Sequence, residues 1–230
     1  MNKPSIIQTL SIAAAALLGL GAIQAQAQSV TFDFAGGSNQ GWSLGGFSGG
    51  TPPTISLIGS SYYLLAPNGA FQVANVASGY AGNLPTFNAA MGAALNNPSG
   101  YDLSYNWYVD TSTFTTNTTF LQLGTYVNAG SGYYSQNYGS PNQVQLSGAQ
   151  IATGGIFQGT ITVPFTVFSA DANAATETFF RLGLVVNGNG TGVGGYFNDI
   201  SISPVPEPGT LSLCGLGLAA GAAFLRRRKA

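Results

Sequence analysis

Apolar and polar positions alternate along much of this chain. Tyr101, Leu103, Tyr105, Trp107 and Val109 take every second place against Asp102, Ser104, Asn106, Tyr108 and Asp110. Successive side chains of a strand point to opposite faces, so this period of two predicts a strand with one dry and one wet side. Val30, Phe32 and Phe34 repeat the pattern near the start, and Tyr196, Ile200 and Ile202 near the end. Ile161, Val163, Phe165 and Val167 do so as well, interrupted by Pro164. Proline lacks an N–H for the ladder and so points to an edge strand or a bulge. From Phe179 to Val186 both parities are apolar except at Arg181 and Gly183, the pattern of a strand covered on both faces.

Turn formers separate these runs: Asn68-Gly69, Gly130 to Gly132, and Asn187-Gly188-Asn189-Gly190. One segment follows helical spacing instead. Leu84, Phe87, Met91 and Leu95 fall on one face, with Asn83 as N-cap and Asn96-Asn97-Pro98 as the stop. No repeat of fixed period and no long linker divides the region. Many short strands with glycine-rich turns predict an all-β fold, a single antiparallel β-sandwich over 28–204.

The two ends follow other rules. Lys3, the apolar run from Ile6 to Ile23, and the small-x-small site Ala25-Gln26-Ala27 predict a signal helix over 1–27. The secretion machinery would remove it and leave a mature chain starting near Gln28. Residues 205–230 hold Val205-Pro206-Glu207-Pro208-Gly209, an apolar stretch from Leu211 to Leu225, and Arg226-Arg227-Arg228-Lys229. That stretch is shorter than the ~20 residues of a comfortable bilayer span, so this transmembrane-like helix suits a transient hold in the inner membrane. The four cations keep its end on the cytoplasmic side. A motif, a short apolar helix and a basic stop together have the logic of a segment made to be processed.

This end resembles the PEP-CTERM sorting signal of Gram-negative bacteria. The resemblance implies export, recognition by a membrane-embedded exosortase, and cleavage near Pro206, Glu207 and Pro208. It also implies delivery to the cell surface or to the exopolysaccharide of a biofilm matrix.

Composition narrows the chemistry of what lies between. The chain has 6 basic and 7 acidic residues, no histidine and one cysteine, Cys214. Histidine-based triads, histidine zinc sites, disulfide frameworks and thiolate clusters are thereby excluded. Net charge −1 without a basic face argues against nucleic acid. The 28–204 region carries Asp33, Asp102, Asp110, Asp171, Glu177 and Asp199 against Arg181 alone. Its polarity is otherwise that of amides, hydroxyls and tyrosines, which suits neutral, hydroxyl-rich partners better than anions.

A second likeness spans most of this region. Val30-Thr31-Phe32-Asp33-Phe34, Tyr101-Asp102-Leu103-Ser104-Tyr105, Leu182-Gly183-Leu184-Val185-Val186-Asn187-Gly188 and Gly195-Tyr196-Phe197-Asn198-Asp199-Ile200 are similar to segments of jelly-roll carbohydrate-binding modules. The resemblance implies that the first and last strands lie side by side, and that a structural Ca²⁺ sits near them. Asp33, Asn198 and Asp199 would be its oxygen ligands. The modules usually read Asp-Asn-Ile where this chain reads Asn198-Asp199-Ile200.

For sugar recognition, aromatic rings must meet the C–H faces of pyranoses while amides read the hydroxyls. Tyr133-Tyr134-Ser135-Gln136-Asn137-Tyr138 mixes both chemistries in a loop-like stretch, which reads equally as a tyrosine-rich edge or turn. Tyr108 lies opposite the Trp107 face of its strand. Trp42 reads as a core anchor. The glycan-binding candidates are therefore Tyr133, Tyr134, Tyr138 and Tyr108.

Hydrolysis has little to work with. A glycosidase needs two carboxyls roughly 5–9.5 Å apart. Asp102 and Asp110 share a strand face but stand about 27 Å apart along it. Asp33 and Asp199 pair only if the terminal strands do. The expectation is a non-catalytic sandwich associating with exopolysaccharide or a cell-surface glycan. The alternatives are a structural or adhesive surface protein, and a hydrolase working through Asp33 or Asp199.

Overall fold

The computed structural model describes residues 28–44, 53–67, 72–77, 84–129, 132–137, 143–168 and 180–206. The expected signal segment, residues 1–27 with Ala25 and Ala27, lies outside them, as does the tail beyond Pro206 with Glu207, Pro208, Arg226, Arg227, Arg228 and Lys229. Among the described residues no helix is long and apolar enough to cross a membrane.

The first strands are β1 (Val30–Phe32), β2 (Ser43–Leu44), β3 (Thr54–Ile58), β4 (Ser61–Pro67) and β5 (Gln72–Ala77). Helix α1 (Pro85–Asn96) follows, then β6 (Tyr101–Asp110), β7 (Phe120–Ala129), β8 (Gly132–Asn137) and β9 (Val144–Ser147). A single turn of helix, α2 (Gly148–Ala152), leads to β10 (Ile156–Pro164), β11 (Phe180–Gly188) and β12 (Gly194–Pro204). All pairings are antiparallel. One sheet has the order β10-β6-β12-β4-β3, with β1 beside the second half of β12. The other has the order β2-β5-β11-β7-β8, with β9 beside the first half of β7. The first and last strands do lie side by side, Val30 opposite Ile202 and Phe32 opposite Ile200.

The core fills the space between the sheets. Leu103, Tyr105 and Val109 of β6 and Phe197, Ile200 and Ile202 of β12 are buried with Leu121, Leu123 and Val127 of β7 and Leu182, Leu184 and Val186 of β11. Trp42 is the expected core anchor, edge-on to Phe32 at 5.5 Å between ring centroids. Helix α1 buries Phe87, Ala90, Met91, Ala94 and Leu95. It begins at Pro85, with Leu84 and not Asn83 in the cap position and no side chain capping it. Proline supplies the start by itself, because it fixes a helical φ and lacks an N–H that would be orphaned there anyway.

Strand β11 is covered on both faces, as its apolar parities required: Leu184 faces the core while Val185 packs with Tyr126 on the opposite side. Gly183 stands across from Tyr126 in the ladder, and a β-carbon there would overlap that ring. The pattern Ile161, Val163, Phe165, Val167 is cut short. Strand β10 is an edge strand, as Pro164 suggested, but it ends at that proline, and Phe165–Val167 form a 3-10 turn.

Strand β12 departs from its sequence pattern more instructively. Asn198 pairs with Asn106 and Ser201 with Ser104, so Asp199 and Ile200 together oppose Tyr105. This is a β-bulge, and Asp199 takes a left-handed φ of 47° to make it. The extra residue reverses parity. Phe197, Ile200 and Ile202 all face the core, whereas Tyr196 faces outward, so Tyr196 does not share a face with the two isoleucines.

Candidate functional site

The outward face of the β10-β6-β12-β4-β3 sheet carries the uncharged polar chemistry of the chain in rows. One row runs Gln158, Tyr108, Tyr196, Leu65 and Thr54 across the five strands. The next holds Thr160, Asn106 and Asn198, and the third Thr162, Ser104, Ser201 and Thr31. Because β6 keeps its alternation unbroken, Tyr108 is delivered to this face by register alone.

Three tyrosines meet there. The Tyr108 ring stands edge-on to Tyr196 at 5.7 Å and tilted to Tyr63 at 6.1 Å. All three are half-buried, so each keeps part of its ring open to solvent. Partial burial of Tyr108, with the Asp110 charge and the Tyr196 and Tyr63 phenols beside it, raises its pKa. The phenol is therefore held protonated as a hydrogen-bond donor at any physiological pH.

The row below is fixed by side-chain bonds. Thr160 Oγ1 donates to Asn106 Oδ1 at 2.7 Å, and Asn106 Nδ2 donates to Asp199 Oδ2 at 2.9 Å. Ser104 and Ser201 share a bond of 2.8 Å between hydroxyls. Such a network, anchored on the Asp199 carboxylate, holds the Asn106 amide in place.

At one end of the sheet Tyr108 and Tyr196 border a cavity of about 360 Å³, lined also by Leu65, Asp110, Thr113 and Phe114. Asp110 caps the Thr111–Thr113 turn, its Oδ1 accepting from Ser112 N at 3.0 Å and Ser112 Oγ at 2.6 Å. Asn189 fastens the neighbouring loop. Its Oδ1 accepts from the Thr119 N–H at 2.8 Å and the Phe120 N–H at 3.3 Å, and its Nδ2 donates to the Asn117 carbonyl at 3.1 Å. The cavity wall is thus built on strand ends and pinned turns.

The other sequence candidates are placed elsewhere. Tyr133 and Tyr134 belong to β8, a paired edge strand of the opposite sheet and not a loop, and the pairing slips by one residue at Tyr134. The fold does not bring them together with Tyr108. Tyr138 lies outside the described residues. Asp33 and Asp199 follow one step beyond the Phe32–Ile200 pair, yet each is engaged separately. Asp33 Oδ1 accepts from the Ala35 N–H at 3.0 Å and from Gln40 Nε2 at 2.7 Å, and these bonds lower its pKa. Asn198 is buried, with Oδ1 accepting from the Asp199 N–H at 2.6 Å. Asp33, Asn198 and Asp199 thus have bonds of their own, and among the described residues no three acidic, histidine or cysteine side chains gather as a metal site.

Sequence reading missed Tyr63 and Tyr196. The Tyr62-Tyr63 pair gave no parity of its own, and the bulge concealed the direction of Tyr196. The only available signal was the unbroken alternation of β6, to which both are joined across the sheet.

The class of architecture is a two-sheet antiparallel β-sandwich. Residues 204–229 match the family model of the PEP-CTERM protein-sorting motif. The chain thus ends in a PEP-CTERM sorting motif, which implies an exported protein processed by an exosortase. No curated protein matches the chain. Among solved structures it is similar to a xylan-binding module, CBM15, at 12 % identity and TM-score 0.43, covering 77 % of this chain and 96 % of that one. It is also similar to a carbohydrate-binding module specific for non-crystalline cellulose, CBM28, at 13 % identity and TM-score 0.45, covering 74 % and 90 %. A third is the C-terminal family 22 module of Clostridium thermocellum Xyn10B, at 16 % identity and TM-score 0.41, covering 80 % and 98 %. At such distance these likenesses carry no information on ligand or mechanism.

Proposed function

We propose that this is a non-catalytic protein of the cell surface or exopolysaccharide matrix whose sandwich holds a polysaccharide on the outward face of the β10-β6-β12-β4-β3 sheet. The observation that carries this reading is the convergence of Tyr63, Tyr108 and Tyr196 on a sheet face that also carries Asn106, Ser104, Ser201 and Thr160, with Tyr108 and Tyr196 lining a cavity at its end. Half-buried rings give a sugar flat apolar contact at little entropic cost, and fixed amides and hydroxyls give its hydroxyls partners. A hydrolase acting through Asp33 or Asp199 is less well supported. Both carboxylates are exposed, and the bonds to Asp33 stabilise its ionised form, the opposite of what a general acid needs.

A second reading, adhesion through sheet edges, draws support from Leu57 on β3 and Ile156 on β10. Each is 60 % exposed, and they stand on the two edge strands of the same sheet.

Affinity electrophoresis of the mature domain through the producer's own exopolysaccharide separates these readings. Glycan binding predicts retardation that Tyr196→Ala weakens about tenfold, equivalent to about 1.4 kcal/mol, while Tyr134→Ala leaves it unchanged. Retardation insensitive to Tyr196→Ala and Tyr108→Ala would remove the site. Free migration through a broad glycan panel, together with concentration-dependent self-association abolished by Leu57→Lys or Ile156→Lys, would favour adhesion.

A further inference from the structure

Both described ends of the chain leave the sandwich at one pole. Strand β1 runs antiparallel to β12, so Gln28 stands two residues before the Val30–Ile202 pair and Pro204 two residues after it. Strand β12 is paired to its last residue, Pro204 opposite Tyr101, and the Val205 N–H donates to the Gly100 carbonyl at 2.8 Å. Pro206, the first residue of the Pro206-Glu207-Pro208 triplet, therefore directly follows Val205, which is still hydrogen-bonded to the fold. Only the six residues Val205 to Thr210 separate the sheet from the apolar stretch that begins at Leu211. Fully extended, they reach about 20 Å.

The described residues beside the exit of the chain are largely uncharged. Asn96, Asn97, Ser99, Pro164 and Thr166 are exposed there, with Asp102 half-buried and the Val205 side chain 37 % exposed. Nothing cationic stands among them, so anionic lipid gives no strong pull. Among these residues Asp102 carries the one charge, so repulsion from them is weak as well. The cavity occupies the other end of the same strands. Tyr196 and Pro204 are eight residues apart on β12, about 26 Å, and Thr113, Gly192 and Gly194 lie on the far side of Tyr196.

We propose that, while the tail is still attached, the sandwich is seated on the lipid headgroup surface by its Gln28/Pro204 pole and turns the tyrosine-lined cavity away from the membrane. The proposal rests on reading residues 211–225 as a membrane-inserted segment and on the cavity as the glycan site. Its consequence is that the cavity faces away from the membrane already before processing. A headgroup layer adds only about 5–8 Å to each side of the hydrocarbon. A probe at the cavity pole is then out of its reach, and one at the exit pole is within it.

The test uses the tail-bearing protein reconstituted into phosphatidylcholine vesicles carrying a headgroup nitroxide lipid, with no peptidase present. In a Cys214→Ser background, bimane is attached at Ser99→Cys or Thr166→Cys on the exit pole, and at Thr113→Cys or Asn117→Cys on the cavity pole. Two sites at each pole guard against a single variant that perturbs the fold. The expected result is strong quenching at both exit-pole sites and none at the cavity-pole sites. Protein that floats with the vesicles but is quenched equally at both poles, or at neither, overturns the seating while leaving the membrane reading of the tail intact. Protein that does not float with the vesicles overturns the tail reading and the seating together.

Discussion

Tyr105 hides its hydroxyl in the core with no acceptor among the described residues, and burial pushes its pKa upward. An unmet buried hydroxyl costs the fold about 1–3 kcal/mol, so replacing the phenol by a ring of the same shape should not harm it. Tyr105→Phe is expected to leave the urea midpoint unchanged or raise it by up to about 1 kcal/mol of stability. A clear loss would mean that the hydroxyl is satisfied. Asp33 gives the pH counterpart. Its folded pKa lies below 3.8, the value of an unperturbed carboxyl, because the Ala35 N–H and then Gln40 bond to the ionised form. A depressed acid contributes stability that is complete above the unfolded pKa and fades as pH falls through the folded one. Asp33→Asn should therefore lower stability slightly near neutrality and leave it equal to wild type once pH has fallen well below about 4, read from melting curves across pH. The contribution is small because the group is exposed to water. Residue by residue, the site was half legible. Tyr108 could be assigned its face because ten residues of β6 alternate without a break, whereas Tyr63 and Tyr196 acquire theirs only through pairing across the sheet.

At the scale of elements, the bulge in β12 decides which side chains the last strand buries. Had Asn198 been followed by regular strand, Ile200 and Ile202 would have turned to water beside Tyr196. Deleting Asp199 is predicted to force that choice and to abolish cooperative unfolding, monitored by near-ultraviolet circular dichroism. Asp199→Gly should fold: glycine relieves the left-handed backbone by about 1 kcal/mol while losing the bond from Asn106, so the net change stays within about 1 kcal/mol. A folded deletion protein with native spectra would show that the register is not set there. Element identities were otherwise largely readable. Period two gave β6 and the pairing-rich strands, two-parity apolarity gave β11, and helical spacing gave α1. What could not be read was where pattern yields to local chemistry. Pro164 ends β10 because it cannot donate onward, Pro85 starts α1 without any capping side chain, and β8 pairs a stretch whose amides and tyrosines suggested a loop.

At the scale of the molecule, the described residues form two six-stranded sheets around one continuous core, and the chain leaves them at a single pole with its sorting motif directly attached. The terminal pairing of β1 with β12 places Gln28 and Pro204 together, which neither end of the sequence could have shown alone. Mass spectrometry of the secreted protein should give a chain beginning near Gln28 and ending near the motif, without the four terminal cations. Retention of Arg226 to Lys229 in the released form would contradict processing. The central claim concerns the tyrosine face, and a titration tests it most directly. With ring-labelled tyrosine, the mature domain is titrated with oligosaccharides cut from the producer's exopolysaccharide, and the tyrosine signals are followed by nuclear magnetic resonance. Saturable shifts are expected at Tyr63, Tyr108 and Tyr196, with those of Tyr133 and Tyr134 stationary. Saturable shifts confined to Tyr133 and Tyr134 would instead place the sugar on the other sheet and contradict the account.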